Sequence, residues 1–184
     1  MFEYFRTDLD RYFALARRHK RELGLFDKLR VILDQPAILA IATYRYCRWV
    51  KYNCKLFGLR KLLSIFGTLM FKAVEIMYGI HIRSEIEIGP GLYIGHFGNI
   101  FVGGKTKIGK NCNISQGVTI GWAGKGVNWG LPIIDDNVFI GPGAKVFGKI
   151  NIGNNVAIGA NAVVTKNLPD NAVAIGCNRL ILSQ

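Results

Sequence analysis

The chain has 184 residues, a formal charge of +12 and a composition that is half hydrophobic. That is enough for one sizeable domain with a packed core, and it excludes wholesale disorder. Residues 1–84 hold 16 Lys/Arg against 7 Asp/Glu and residues 85–184 hold 8 against 5, so the basic half calls for an acidic partner: a phosphorylated cofactor, an anionic lipid surface, an anionic glycan or nucleic acid.

Residues 1–78 read as a helical region. The opening "MFEYFRTDLDRY" places charges where a signal peptide needs its apolar core. "DLDRYFALARRHKREL" begins with an acidic first turn that suits the positive end of a helix dipole, and its Leu9, Phe13, Leu15 and Ala16 approximate an apolar stripe. His19, inside "ARRHKREL", reads as a solvated side chain. "QPAILAIATYRYCRWVKYNCKLF" starts a second helix with Pro36 in an early position, where its missing N–H costs little. "RKLLSIFGTLMFKAVEIMYG" is a third, separated from the second by Gly58 and ended by Gly79. Its apolar run at 62–71 is about half of what a bilayer span requires, so no transmembrane span is expected. These apolar, basic helices are expected to pack on the following domain or a partner chain; peripheral contact with the inner membrane face is the alternative. Cys47, Cys54, Cys112 and Cys177 form no C-x-x-C pair or zinc-type spacing, which suggests reduced thiols in a cytoplasmic protein.

From residue 86 the pattern changes. Ile or Val recurs every six residues at 88 and 94, at 102, 108, 114 and 120, and at 134, 140, 146, 152, 158 and 164, with Gly following eight of them. The fifth position of most hexads is small or aliphatic, as at Val118, Val138, Ala144, Ile150, Val156 and Ala162. A period of six fits neither a helix nor an ordinary strand. It fits a triangular coil of three hexads per turn, with the aliphatic residue pointing inward and the Gly-containing turn bending the chain, where a positive φ is expected. Residues 79–184 are therefore expected to form a mainly β, parallel β-helix domain. Two steps break the period: 94 to 102, and 120 to 134, where "GWAGKGVNWGLP" (121–132) projects as a loop. Insertions in solenoids lie on the surface and often carry function.

Of the chain's three histidines, His96 stands out because it occupies a corner position, in "IGHFGN", just before the first irregular step. A neutral imidazole beside a cleft can take a proton from an alcohol.

The motifs "GIHIRSEIEIGPGLYIGHFGNIFVGG", "IGKNCNISQGVTIG" and "IGPGAKVFGKINIGNNVAIGANAVV" resemble the hexapeptide-repeat acyltransferases. The likeness is to the serine O-acetyltransferase branch and to related acetyltransferases of polysaccharide synthesis, and it covers about residues 79–176. It implies a left-handed β-helix, a homotrimer, and acetyl-CoA lying in a groove between coils. It also implies that His96 acts as general base for direct attack of an acceptor hydroxyl on the thioester. The loop would cover the site, bringing Gly121, Trp122, Gly124 and Lys125 near the thioester or acceptor. Gly141, Pro142, Gly159 and Ala160 match positions that bind the pantetheine arm, and Lys145 and Lys166 are phosphate contacts or ordinary solvated lysines.

The sequence departs from the family at three places. His81, in "IHIRS", stands where the family has the Asp that orients the catalytic His, so His81, with Glu85 and Glu87 behind it, is the candidate for that role. Gly95 replaces an Asp, and Gly130-Leu131 replaces an Arg-His pair. Those missing charges point to a saccharide hydroxyl, in a surface polysaccharide or lipid-linked sugar, as the acceptor, with L-serine as the alternative. A non-catalytic scaffold is the third reading. A zinc carbonic anhydrase would need three coil histidines where this coil has two, so no metal is expected. No stacking platform or recognition motif suggests nucleic acid.

Overall fold

The computed structural model describes residues 2–17, 23–126 and 129–176; His19 and Cys177 lie outside them. Four helices come first: α1 (Phe2–Ala16), α2 (Leu25–Asp34), α3 (Pro36–Asn53) and α4 (Phe57–Tyr78). α3 begins with Pro36 at its first turn, and α4 ends on Gly79 in the left-handed region, whose N–H bonds back to Glu75 O. Three expectations need correction. α1 begins at Phe2, so Asp8 and Asp10 lie inside the helix and not in its first turn. α2 is an additional helix. Gly58 lies in the first turn of α4 rather than between helices, the break falling at residues 54–56.

The β region is a parallel solenoid of about five coils. The first coil is β1 (Ile80–Ile82), β2 (Glu87–Ile88) and β3 (Tyr93–Ile94), and the second is β4 (Ile100–Val102), β5 (Lys107–Ile108) and β6 (Asn113–Ile114). β7 (Thr119–Gly121), β8 (Ile133–Ile134) and β9 (Phe139–Ile140) make the third. β10 (Lys145–Phe147), β11 (Asn151–Ile152) and β12 (Ala157–Ile158) make the fourth, and β13 (Val163–Val164) and β14 (Val173–Ala174) the fifth. Every third strand stacks in one sheet as far as β13; among the described residues the fifth coil has no strand on the second face, so β14 stacks on β12. The first face is β1-β4-β7-β10-β13, the second β2-β5-β8-β11, and the third β3-β6-β9-β12-β14. The register pairs hexad with hexad, as in Val102↔Ile120 and Ile114↔Ile140, so the hexad aliphatics and fifth-position residues fill the prism interior.

The glycines that follow the aliphatics serve a different purpose from the one expected. They are not left-handed. The positive φ falls two residues later, on Asn111, Asn137, Asn155 and Asn161, on Lys105, and on Gly91, Gly117 and Gly143. Asn tolerates that region at small cost. On the edge between the second and third faces it also builds a ladder: Asn111 Nδ2 donates to Asn137, Asn137 to Asn155 and Asn155 to Asn171 at 3.1–3.3 Å. The preceding glycine is needed because coils stack closely. A Cβ on Gly89 would lie 2.7 Å from Gly109 C and 2.8 Å from its O. Gly89→Ala is therefore expected to cost about 1–3 kcal/mol by overpacking, read from urea denaturation. Gly58→Ala, with nothing within 4 Å, is the control and should be neutral or slightly stabilising.

The first coil has no coil before it, so the outward backbone groups of β2 and β3 need other partners. The helices supply them. Tyr44 Oη donates to Ile86 O and accepts from Ile88 N, and Tyr12 Oη does the same with Ile94 O and N. Asp8, 1% exposed, accepts from Gly91 N and Leu92 N at 2.8 Å and forms a two-pronged ion pair with Arg45, 4% exposed. Arg45 in turn donates to Ile88 O and Gly89 O at 2.7 Å.

Candidate active site

Three hexads per coil, plus the two insertions, stack four turns on the edge between the third and first faces: residues 95–99, 115–118, 141–144 and 159–162. Hydrogen bonds tie them in order, Gly117 N to Gly98 O, Gly143 N to Gln116 O and Asn161 N to Pro142 O, at 2.8–2.9 Å. His96 heads this column, with Gln116, Pro142 and Ala160 at the corresponding places of the next three coils. The edge brings together His96, Gly141, Pro142, Gly159 and Ala160. Apart from His96 its residues are Gly, Ala, Pro, Ser, Asn, Gln, Val and Phe, so His96 is the one side chain there that can exchange a proton near neutral pH. It is exposed, and among the described residues it has no hydrogen bond, ion pair or ring partner.

The small residues below His96 leave room for a narrow, extended ligand. A Cβ on Gly141, itself buried, would meet Ile158 O at 2.8 Å and Ala160 N at 2.9 Å, so the coils stack closely there and Pro142 and Ala160 are left exposed on the edge. Gln116 was not picked out from the sequence. Its Oε1 is buried, without a hydrogen-bond partner among the described residues. The signal was available, because Gln116 follows His96 by one coil length of hexads plus the two-residue insertion.

The other expected residues sit elsewhere. Gly121 ends β7, Trp122 and Lys125 belong to the loop that follows it, and Lys166 follows β13; the loop and Lys166 lie on the edge between the first and second faces. The loop folds back as a short antiparallel bridge, Ala123↔Gly130. Trp122 and Leu131 close over Gly103, where a Cβ would come within 3.0 Å of each. Lys125 and Lys166 are exposed. Lys145 is already engaged, donating to Gly117 O at 2.5 Å and Thr119 Oγ1 at 3.1 Å. Within one chain, then, His96 and the loop occupy different corners.

His81 is not held against His96 either. It lies on β1, half-buried, with Nδ1 2.5 Å from Glu75 Oε1. Its ring stacks on Phe101 at 5.0 Å and meets Phe71 edge-on. Hydrogen bonds from Lys72 first, and then from His81, hold the Glu75 carboxylate below its usual range. A cavity of about 670 Å³ opens here between α3, α4 and the first face, lined by His81, Phe71, Lys51 and Arg83 among others. None of the expected cofactor-binding residues reaches it. Glu85 is taken up by Lys51 and Arg83, and Glu87 lies beside Lys107. Among the described residues no three His, Cys, Asp or Glu side chains are grouped to hold a metal ion. Burial pushes the Cys112 thiol up to about 11, and Cys47 is raised by the same cause, so both are poor nucleophiles.

Comparison with known proteins gives the family. Residues 133–166 match the hexapeptide repeat of succinyl-transferase. The chain is 33% identical over 168 residues to the serine acetyltransferase of Helicobacter pylori strain 26695, covering 91% of this chain and 94% of that one. It is 34% identical over 157 residues to the serine acetyltransferase of Synechococcus elongatus, covering 85% of this chain and 61% of that longer relative. Among solved structures, the Neisseria gonorrhoeae serine acetyltransferase in complex with serine superposes with a TM-score of 0.71 at 26% identity, covering 96% of this chain and 66% of that one. The Brucella abortus strain S19 serine acetyltransferase in complex with coenzyme A gives 0.72 at 25%, covering 96% and 65%. These relatives overturn the saccharide acceptor expected from the missing loop charges. That expectation assumed that an amino acid can be held only by side chains at those positions, whereas backbone N–H groups and side chains at other positions also bind carboxylates.

Proposed function

Because the chain belongs to the serine acetyltransferase family, we propose that it transfers the acetyl group of acetyl-CoA to the hydroxyl of L-serine. The observation that carries the reading is His96 at the head of an edge otherwise built of small or non-titrating residues. Acetyl-CoA supplies an activated acyl group. His96 takes the proton of the serine hydroxyl as its oxygen attacks the thioester carbonyl. The C–O bond forms, the C–S bond breaks, and the proton passes from the imidazolium to the departing thiolate. Gly141, Pro142, Gly159 and Ala160 line the path of the pantetheine arm, and the half-buried Gln116 lies between that path and His96 in the stacking order.

The protein acts as a homotrimer in the cytoplasm. Support for the trimer comes from the two corners: a neighbouring chain can bring its loop, with Trp122 and Lys125, to the His96 edge that its own chain leaves uncovered. Lys125 then offers the serine carboxylate a cation, and Lys166 offers one to the phosphates.

CoA release is expected with L-serine at a KM of about 1 mM or below, in the ordinary range for enzymes. Protein that binds acetyl-CoA, seen as a thermal shift, yet releases no CoA with L-serine would overturn the acceptor.

A further inference from the structure

We propose that α4, in the helical region, is a docking surface for an anionic lipid bilayer. α4 packs on α3 through Gly67 and Val74, its two buried residues, with Gly67 against Cys47 and Tyr46. At 3.6 residues per turn, Leu62, Ile65, Leu69 and Ile76 fall on the far side of the helix, while the Phe66 ring meets Tyr46 of α3 edge-on. All four are more than half exposed, Ile76 at 82%. The helix is thus apolar on both sides, where a surface helix ordinarily shows polar residues outward. Contiguous apolar surface of this kind marks a contact with something else.

The charge on the page says what that something is. From residue 35 to residue 74 there is no acidic residue, against seven Lys/Arg. Lys61 and Lys72 are exposed and border that strip, Lys72 with Glu75 as its ion-pair partner, whereas Arg60 falls on the side facing α3 and lines the cavity there. Among the described residues Lys61 makes no ion pair. An apolar strip edged with cations fits acyl chains below and anionic headgroups above. A second copy of this face would set uncompensated cations against cations. The helix lies on the surface: among the described residues no helix is long and apolar enough to cross a membrane.

The test is co-sedimentation of the whole chain with vesicles of phosphatidylglycerol and phosphatidylcholine in equal parts, against phosphatidylcholine alone. The parent should pellet with the anionic vesicles only, and release at about 1 M salt, where the Debye length falls to about 3 Å. Leu62→Glu/Leu69→Glu and, separately, Lys61→Glu should each shift the lipid titration by at least about tenfold. Each variant should keep the parent's melting curve and its rate of CoA release in free solution. Parent that stays in the supernatant, or variants that bind as the parent does, overturn the proposal. So does a lower assembly mass for Leu62→Glu/Leu69→Glu in sedimentation velocity, which would make the face a contact between copies.

Discussion

Arg45→Ala is expected to cost about 3–5 kcal/mol of stability, the range for breaking a buried ion pair by removing one partner. For a chain of this size that lowers Tm by about 6–20 °C, at about 2–4 °C per kcal/mol. The loss has two sources. Asp8 keeps its bonds from Gly91 N and Leu92 N but loses the guanidinium that balances its charge. Ile88 O and Gly89 O lose their donors at the open end of the solenoid, where no further coil replaces them. A volume-matched apolar pair, Asp8→Leu/Arg45→Met, separates the two. An isolated buried pair is often replaced at no cost, but here four backbone groups would remain unpaired. The double variant should therefore recover part of the loss and stay well below the parent. Full recovery would mean that the helices are held to the coil by apolar packing alone. A double-mutant cycle with Asp8→Ala and Arg45→Ala, followed by urea denaturation, gives the coupling directly.

The hexads made the solenoid legible because a side chain repeating every sixth position leaves a mark that no helix or flat sheet produces. Both interruptions were equally plain, and the longer one is the loop carrying Trp122. The cap was not legible. Asp8 looked like an ordinary first-turn acid, and nothing local says that it will meet Arg45, 37 positions away, and the amides of Gly91 and Leu92. The helix faces were hidden for a related reason. Composition shows that α4 is apolar, but an all-round apolar helix carries no periodic signal of which side faces the core. The corner chemistry was half legible. The left-handed residue is the Asn three places after the aliphatic, a pattern present at 111, 137, 155 and 161 but masked by the more conspicuous glycines. The site divides in the same way. His96 and the small residues below it follow from counting coils, as Gln116 should have done, whereas the placing of Trp122, Lys125 and Lys166 on another corner emerges only when the three faces are assembled.

His96→Ala is expected to lower kcat for L-serine by about 100- to 10,000-fold, the usual contribution of a positioned general base. KM for acetyl-CoA should change little, because a proton transfer made in the transition state contributes nothing to ground-state binding. Tm should not move either, since the side chain is exposed and makes no contact that the fold would miss. That combination distinguishes a chemical role from a structural one. Added imidazole should restore part of the rate, since it supplies the missing base without altering the chain. A variant as active as the parent would remove His96 from the mechanism, and no other side chain on that edge could replace it. The same variant also tests the two-corner geometry. His96→Ala chains mixed with chains whose 123–130 loop is shortened are each inactive alone. If a site takes His96 from one chain and the loop from its neighbour, mixed assemblies contain intact sites and activity returns. If each chain builds its site unaided, no pairing of the two defects can restore one.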